Sequence, residues 1–294
     1  MIPVSTPAGE FRVWTKRVGT NPDLKVLLLH GGPGATSELY ECFDTWFPRA
    51  GIEYYYYYDQ LGSFRSDRPG DGSLWDLARF VDEVEQVRRA LGLDRSNFVL
   101  LGQSWGGLLA MEYAVTYQQN LKGLVISNMM ASARRYNEYA RDVLMPAMDQ
   151  AALADIKRYE AEGKTSDLRY EQLLMEQHYR WHVCRMPLGE WPEPVTRSLG
   201  HINPAIYVPM QGPSELGLSG TLEDWDRTAD LPGIDVPALV IGAAHDTMDP
   251  GYLRWMAGQL PQGRYLHCPD GSHLAQFDDP GHYFPGLIEF LTSL

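Results

Sequence analysis

A serine hydroxyl attacks a carbonyl at neutral pH only when an imidazole takes its proton and a carboxylate holds that imidazole in the productive tautomer. The three residue types occur in this chain at positions where they could meet. Ser104 sits in Gly102-Gln103-Ser104-Trp105-Gly106, Asp246 follows the apolar run Ala238 to Ile241, and His273 lies in Gly271-Ser272-His273. The spacing G-x-S-x-G is that of a nucleophile elbow, in which a strand turns sharply into a helix and lifts the serine hydroxyl above a sheet. Its flanks fit: Asn97 to Leu101 reads as a short buried strand and Gly107 to Ala114 as an apolar helix.

A second chemical signal is the loop His30-Gly31-Gly32-Pro33-Gly34, which follows the wholly apolar Val26 to Leu29. Glycines let a backbone bend closely around a ligand and aim N–H groups at it, as stabilising an oxyanion requires. The expected donors are the N–H of Trp105, the residue after the nucleophile, and that of Gly32, with Gly31 as the alternative and as a substrate contact. Rivals exist for the other roles. His267 falls within an apparent strand, His282 at a helix start and His30 in the glycine loop, whereas His273 follows the last strand. Asp249 is the rival acid, farther from its strand end and followed by Pro250. Met129 and Met130 come directly after the strand Leu121 to Ser127, so both are expected beside the substrate pocket, although packing between core and cap would use the same residues.

These groups need a scaffold, and the hydrophobic pattern predicts an α/β one. Phe11, Val13 and Thr15 alternate with charged and aromatic neighbours as in an amphipathic strand, and an opening antiparallel hairpin with a turn at Asn21-Pro22-Asp23 is expected. Tyr54 to Tyr58 form a central strand whose tyrosines serve packing, and Asp59-Gln60-Leu61-Gly62-Ser63 follows as a loop. A helix is predicted from Ser73 to Leu91, with Ser73 as its N-cap and Gly92 closing it. Strands and helices then alternate through the Ser104 elbow to Ser127, the pattern of a mostly parallel sheet flanked by helices. From Asn128 to Glu215 only helical patterns appear, over 134–145, 146–162 and 167–185, followed by the Pro-rich stretch at Trp191. This predicts an inserted helical cap over residues 128–215, overhanging Ser104, on a core made of residues 1–127 and 216–294. His178 and His182, at i, i+4 within it, lack an intervening acidic base and suggest surface or packing roles rather than a metal site.

A net charge of −13 disfavours nucleic acid and anionic membranes as partners, since phosphate is bound through clustered Lys and Arg. Three widely spaced cysteines, Cys42, Cys184 and Cys268, suggest neither a disulfide framework nor a zinc site. With no basic and apolar leader at Met1 to Pro7 and no run of membrane-spanning length, a cytoplasmic protein is expected. The glycine loop lacks the Lys-Ser/Thr pair of a P-loop and the spacing of a dinucleotide fingerprint, so no cofactor and no metal are implied.

The combination of His30-Gly31-Gly32-Pro33-Gly34, Asp59-Gln60-Leu61-Gly62-Ser63, Gly102-Gln103-Ser104-Trp105-Gly106-Gly107, Asp246 and Gly271-Ser272-His273 resembles the prolyl aminopeptidases (proline iminopeptidases) of the α/β-hydrolase superfamily. The order Ser…Asp…His is also the one expected of an α/β-hydrolase fold. What the resemblance implies is release of an N-terminal residue, typically proline, from short peptides, amides or arylamides. Gln211-Gly212-Pro213-Ser214-Glu215 is similar to the segment in which that family carries a glutamate for the substrate's free amino group, which singles out Glu215. Two departures from the family pattern are Thr247, where some members place a second acid, and Phe64, where a small residue is usual. Other functions open to the same residues are a carboxylesterase or acyltransferase on the same triad and, least favoured, a non-catalytic binding module.

Overall fold

The computed structural model describes residues 1–294, except for the side chains of Glu53 to Tyr56. The expected packing roles of Tyr54, Tyr55 and Tyr56 therefore lie outside the described residues, while Tyr57 and Tyr58 are buried. Eight strands, β1 (Ile2–Thr6), β2 (Gly9–Val18), β3 (Lys25–Leu29), β4 (Glu53–Asp59), β5 (Phe98–Gln103), β6 (Gly123–Ser127), β7 (Ala238–Ala243) and β8 (Gly263–Cys268), form one sheet. Their order is β1-β2-β4-β3-β5-β6-β7-β8. Both pairings of β2 are antiparallel and every other pairing is parallel.

The all-apolar strands occupy the middle of the sheet because they are covered on both faces. In β3, Leu27 and Leu29 enter the core built with Phe80 and Leu108, whereas Val26 and Leu28 enter the opposite core with Phe284 and Leu287. Neighbouring β5 splits the same way, Phe98 and Leu100 to one side and Val99 and Leu101 to the other. The first core is covered by α1 (Leu77–Ala90) and α2 (Trp105–Tyr117), and the second by the closing helix Pro280–Thr292. The opening hairpin differs from the expectation. β2 turns back on β1 rather than pairing with β3, since half-polar β2 suits a position near the sheet edge and β3 belongs inside it. Helix α1 also starts later than its pattern suggested: Asp76 caps it by accepting from the N–H groups of Ala78 and Arg79, and Ser73 lies in a preceding short turn.

Between β6 and β7 the chain is helical, including Ala133–Tyr139, Gln150–Ala161, Leu168–Leu174, Glu193–Gly200 and Pro204–Met210. Asp149 rather than Pro146 starts the second of these, because Met148 is extended (ψ 161°) and breaks the run, and the Asp149 carboxylate accepts from the Ala152 N–H. Met148, Leu153, Ile156, Tyr170, Leu173 and Leu174 make an apolar cluster of their own. Val183, Trp191 and Val195 tie the segment down through Leu39 and Leu274 of the sheet domain. Past Glu215 the chain rejoins the main core at Leu218, Leu222 and Trp225.

Candidate active site

Ser104 sits between β5 and α2 with φ 57° and ψ −128°, a positive-φ backbone that an L-residue adopts only under constraint. The glycines on either side make the turn sterically feasible. A Cβ on Gly102 would overlap the Gly106 carbonyl, and one on Gly106 would overlap the Leu29 carbonyl, so strand and helix cross where only hydrogen fits. The Ser104 N–H donates to Ser127 O at 3.0 Å, which anchors the elbow to β6. The Gly107 and Leu108 N–H groups bond the Ser104 carbonyl at 2.7 and 3.2 Å, whereas the Trp105 N–H, at the start of α2, has no preceding carbonyl of the helix to bond.

His273 follows β8 and is anchored by its own backbone: its N–H donates to His182 O at 3.0 Å, and Gln103 Nε2 donates to its carbonyl at 3.0 Å. Its Nδ1 lies 2.7 Å from Asp246 Oδ1. Asp246 is fully buried just past the end of β7 and also accepts from Asn128 Nδ2 at 2.6 Å and from the Thr247 hydroxyl at 3.3 Å. Burial pushes the His273 imidazole toward neutrality, but the charge and hydrogen bond of Asp246 outweigh it, with Glu215 and Asp278 adding to them. The net position is above the ordinary imidazole value.

The rivals sit elsewhere. Asp249 caps the helix Pro250–Gln259, accepting from the Gly251 N–H at 2.8 Å. His267 contacts Tyr265 Oη, and His282 contacts Asp279 at 2.7 Å. His30 is buried behind the glycine loop, where Nδ1–H donates to Gly31 O at 2.9 Å and Nε2 accepts from the Gln60 N–H at 3.1 Å. Burial holds it below the usual imidazole range despite the nearby charge of Asp59. Gln60 in turn donates to His30 O and accepts from the Trp105 indole N–H at 2.9 Å, so one side chain links the elbow to the glycine loop.

Ser104 borders two cavities. The larger, about 590 Å³, is lined by Gly31, Gly32, Gln103 and His273 on the sheet side and by the helical segment above. The smaller, about 10 Å³, is walled by Trp105, Leu108, Met129, Tyr136, Leu218 and Met248. Glu215 lines both, and among the described residues it and Ser104 alone do so. Its carboxylate accepts from Tyr207 Oη at 2.6 Å and its carbonyl from Tyr136 Oη at 2.9 Å and His178 Nε2 at 3.1 Å, while its N–H donates to Tyr179 Oη at 3.3 Å. Burial, with the Glu215 charge, raises all three phenols well above their usual value, so each stays protonated and able to donate.

Met129 borders the smaller cavity beside Ser104, whereas Met130 borders neither cavity at Ser104. Met130 lines a separate surface cavity with Arg135, Tyr252 and Asp249. The reason is local: with Asn128 at φ 53° the chain turns at the strand end, and successive side chains diverge. Phe64 lines neither cavity at Ser104 and stacks on His201 with ring centroids 3.7 Å apart. Thr247 packs against the Asp246–His273 pair, its hydroxyl 3.1 Å from Nδ1. His178 and His182 bond backbone carbonyls of Glu215 and His245. Gln60, Gln103, Asn128 and the Glu215 tyrosines were not singled out by sequence reasoning. Only Asn128 carried a local signal, an Asn at a strand's carboxyl end, where it tolerates positive φ.

A serine at a strand-to-helix elbow, on a mostly parallel sheet, with acid and imidazole following in that order, defines a serine hydrolase of the alpha/beta hydrolase fold, and the chain matches that fold family over residues 25–280. It is 53% identical over 294 residues to a proline iminopeptidase of Flavobacterium johnsoniae, covering 100% of this chain and 98% of that one. The solved structure of VinJ aligns with a TM-score of 0.90 at 30% identity, over 99% of this chain and 98% of VinJ. That of a proline iminopeptidase of Mycobacterium smegmatis aligns at 0.84 and 31%, over 99% and 98%. The chain belongs to the proline iminopeptidase family.

Proposed function

We propose that the chain is a serine aminopeptidase, releasing proline and, beside it, other small or apolar N-terminal residues from peptides, amides or arylamides. The observation that carries this reading is that a carboxylate, Glu215, and the elbow serine face the same two cavities. A protonated amine held at Glu215 puts the carbonyl of the first residue at Ser104. His273 Nε2 takes the Ser104 proton as Oγ bonds the carbonyl carbon, and the Trp105 and Gly32 N–H groups receive the oxyanion. The C–N bond then breaks, with His273 returning the proton to the leaving amine. Water, deprotonated by the same imidazole, cleaves the acyl-enzyme. Asp246 holds Nδ1–H toward itself, so Nε2 is free to accept. Residues 128–215 act as the cap that closes over this chemistry, and Met129 shapes the pocket for the first side chain. Free cysteines, two of them buried, suit a reducing cytoplasm.

Glu215→Gln tests the reading. Glu215 is half-buried, so the loss belongs at the lower end of the range for a charge pair, roughly 10- to 100-fold in kcat/KM. It should appear on a prolyl arylamide and spare a small neutral ester. Equal losses on both, or brisk wild-type cleavage of the N-acetylated arylamide, would overturn the aminopeptidase reading in favour of an esterase.

A further inference from the structure

We infer that the larger cavity is the leaving-group site, and that it selects substrates whose departing amine carries an apolar, uncharged extension. This rests on the aminopeptidase reading. The assignment of sides follows from proton transfer. The group that protonates the leaving nitrogen must lie within hydrogen-bond reach of it. His273 lines the larger cavity and not the smaller one. With the amine at Glu215 and the carbonyl at Ser104, the leaving group departs into the larger cavity and the first side chain faces the smaller. The free space there, about 10 Å³, is close to that of a single water, so a small ring enters by displacing the pliable Met129 and Met248.

The chemistry of the larger cavity then sets what may follow the scissile bond. Its walls include Leu39, Leu174, Met175, Trp191, Leu199 and Ile202, and its volume of about 590 Å³ exceeds what one small residue fills. Among the described residues that line it there is no Lys or Arg, and the carboxylates present are Glu171 and Glu215. A free carboxylate directly after the cleaved bond would thus meet apolar walls and like charge, with no cation to offset its desolvation. The favoured class is an amide, arylamide or longer peptide with an apolar group next to the scissile bond, ahead of the free dipeptide.

Steady-state kcat/KM on prolinamide, prolyl-norleucine amide, prolyl-glutamine amide and prolyl-norleucine free acid decides the matter, because norleucine and glutamine are near-equal in length. The norleucine amide should exceed both the glutamine amide and the free acid by roughly 10-fold or more. In Leu199→Gln and Ile202→Gln, at half-buried positions on the cavity wall, the norleucine-to-glutamine ratio should fall toward one. Ratios near one in the wild type, with prolinamide cleaved, would overturn the cavity assignment and leave the aminopeptidase reading standing. Absence of turnover on every prolyl substrate would overturn both.

Discussion

Replacing Asp246 by Asn keeps size and shape but swaps one acceptor oxygen for an NH2 donor. Three donors converge on the native carboxylate, His273 Nδ1–H at 2.7 Å and the Thr247 hydroxyl at 3.3 Å on Oδ1 and Asn128 Nδ2 at 2.6 Å on Oδ2, in a fully buried site. An amide has one acceptor, so at least one of these contacts becomes donor against donor. If its oxygen satisfies Asn128, its NH2 faces Nδ1, the imidazole shifts its proton to Nε2, and it can no longer accept from Ser104. A wrong tautomer of this kind costs roughly 10⁴-fold in kcat, or about 5 kcal/mol at ~1.4 kcal/mol per decade. The pH profile carries the same signature. Wild-type kcat/KM rises with pH as His273 loses its proton, and that limb lies above the ordinary imidazole value because Asp246 outweighs burial. Without the charge, burial dominates and the limb moves to lower pH. Asp249→Asn is the control: it retains a good N-cap residue on the helix Pro250–Gln259 and should stay within about twofold of wild type. The assay is prolyl-arylamide hydrolysis from pH 5 to 9. Asp246→Asn within tenfold of wild type, or a larger loss in Asp249→Asn, would refute the assignment of the acid.

Met129→Ala should raise kcat/KM for leucyl relative to prolyl arylamide, while Met130→Ala, outside the Ser104 cavities, leaves that ratio unchanged; each buried truncation should also cost about 2–5 kcal/mol in denaturant unfolding. His178 is buried and its pKa is lowered to about 3, by burial first and by His182 and His273 after it. The unfolded chain therefore takes up a proton that the fold refuses, so stability present above pH ~6.5 is lost as pH falls toward 3, roughly 2 kcal/mol of it by pH 5. The stability difference between wild type and His178→Gln should shift by that amount between pH 7 and 5, and a pH-independent difference would count against it. Gly106→Ala should abolish soluble, active protein, because the added methyl meets the Leu29 carbonyl; near-native activity in that variant would contradict the elbow packing.

The chemistry-bearing loops and the fold class were readable from the chain alone because they depend on local rules. Gly102-Gln103-Ser104-Trp105-Gly106, flanked by an apolar strand pattern and an apolar helix pattern, reads as a tight turn between them, and runs without polar alternation such as Val26 to Leu29 fit strands covered on both faces. Glu215 entered through family resemblance, since an acid in a Gly/Pro loop has no local mark of a ligand-binding role. What tertiary structure decided was every relation between residues distant in sequence. Asp246 and Asp249 are alike as neighbours of a strand end, and only the fold shows one meeting His273 while the other caps a helix. Met129 and Met130 differ by a single position, yet only the folded chain shows that they border different cavities. The tyrosines around Glu215 come from residues 136, 179 and 207, in separate helical stretches that meet only when the segment folds over the sheet. Hydrophobic period and turn chemistry act over a few residues, whereas the partners of a buried polar group are set by which elements pack together, and no short stretch of sequence carries that information.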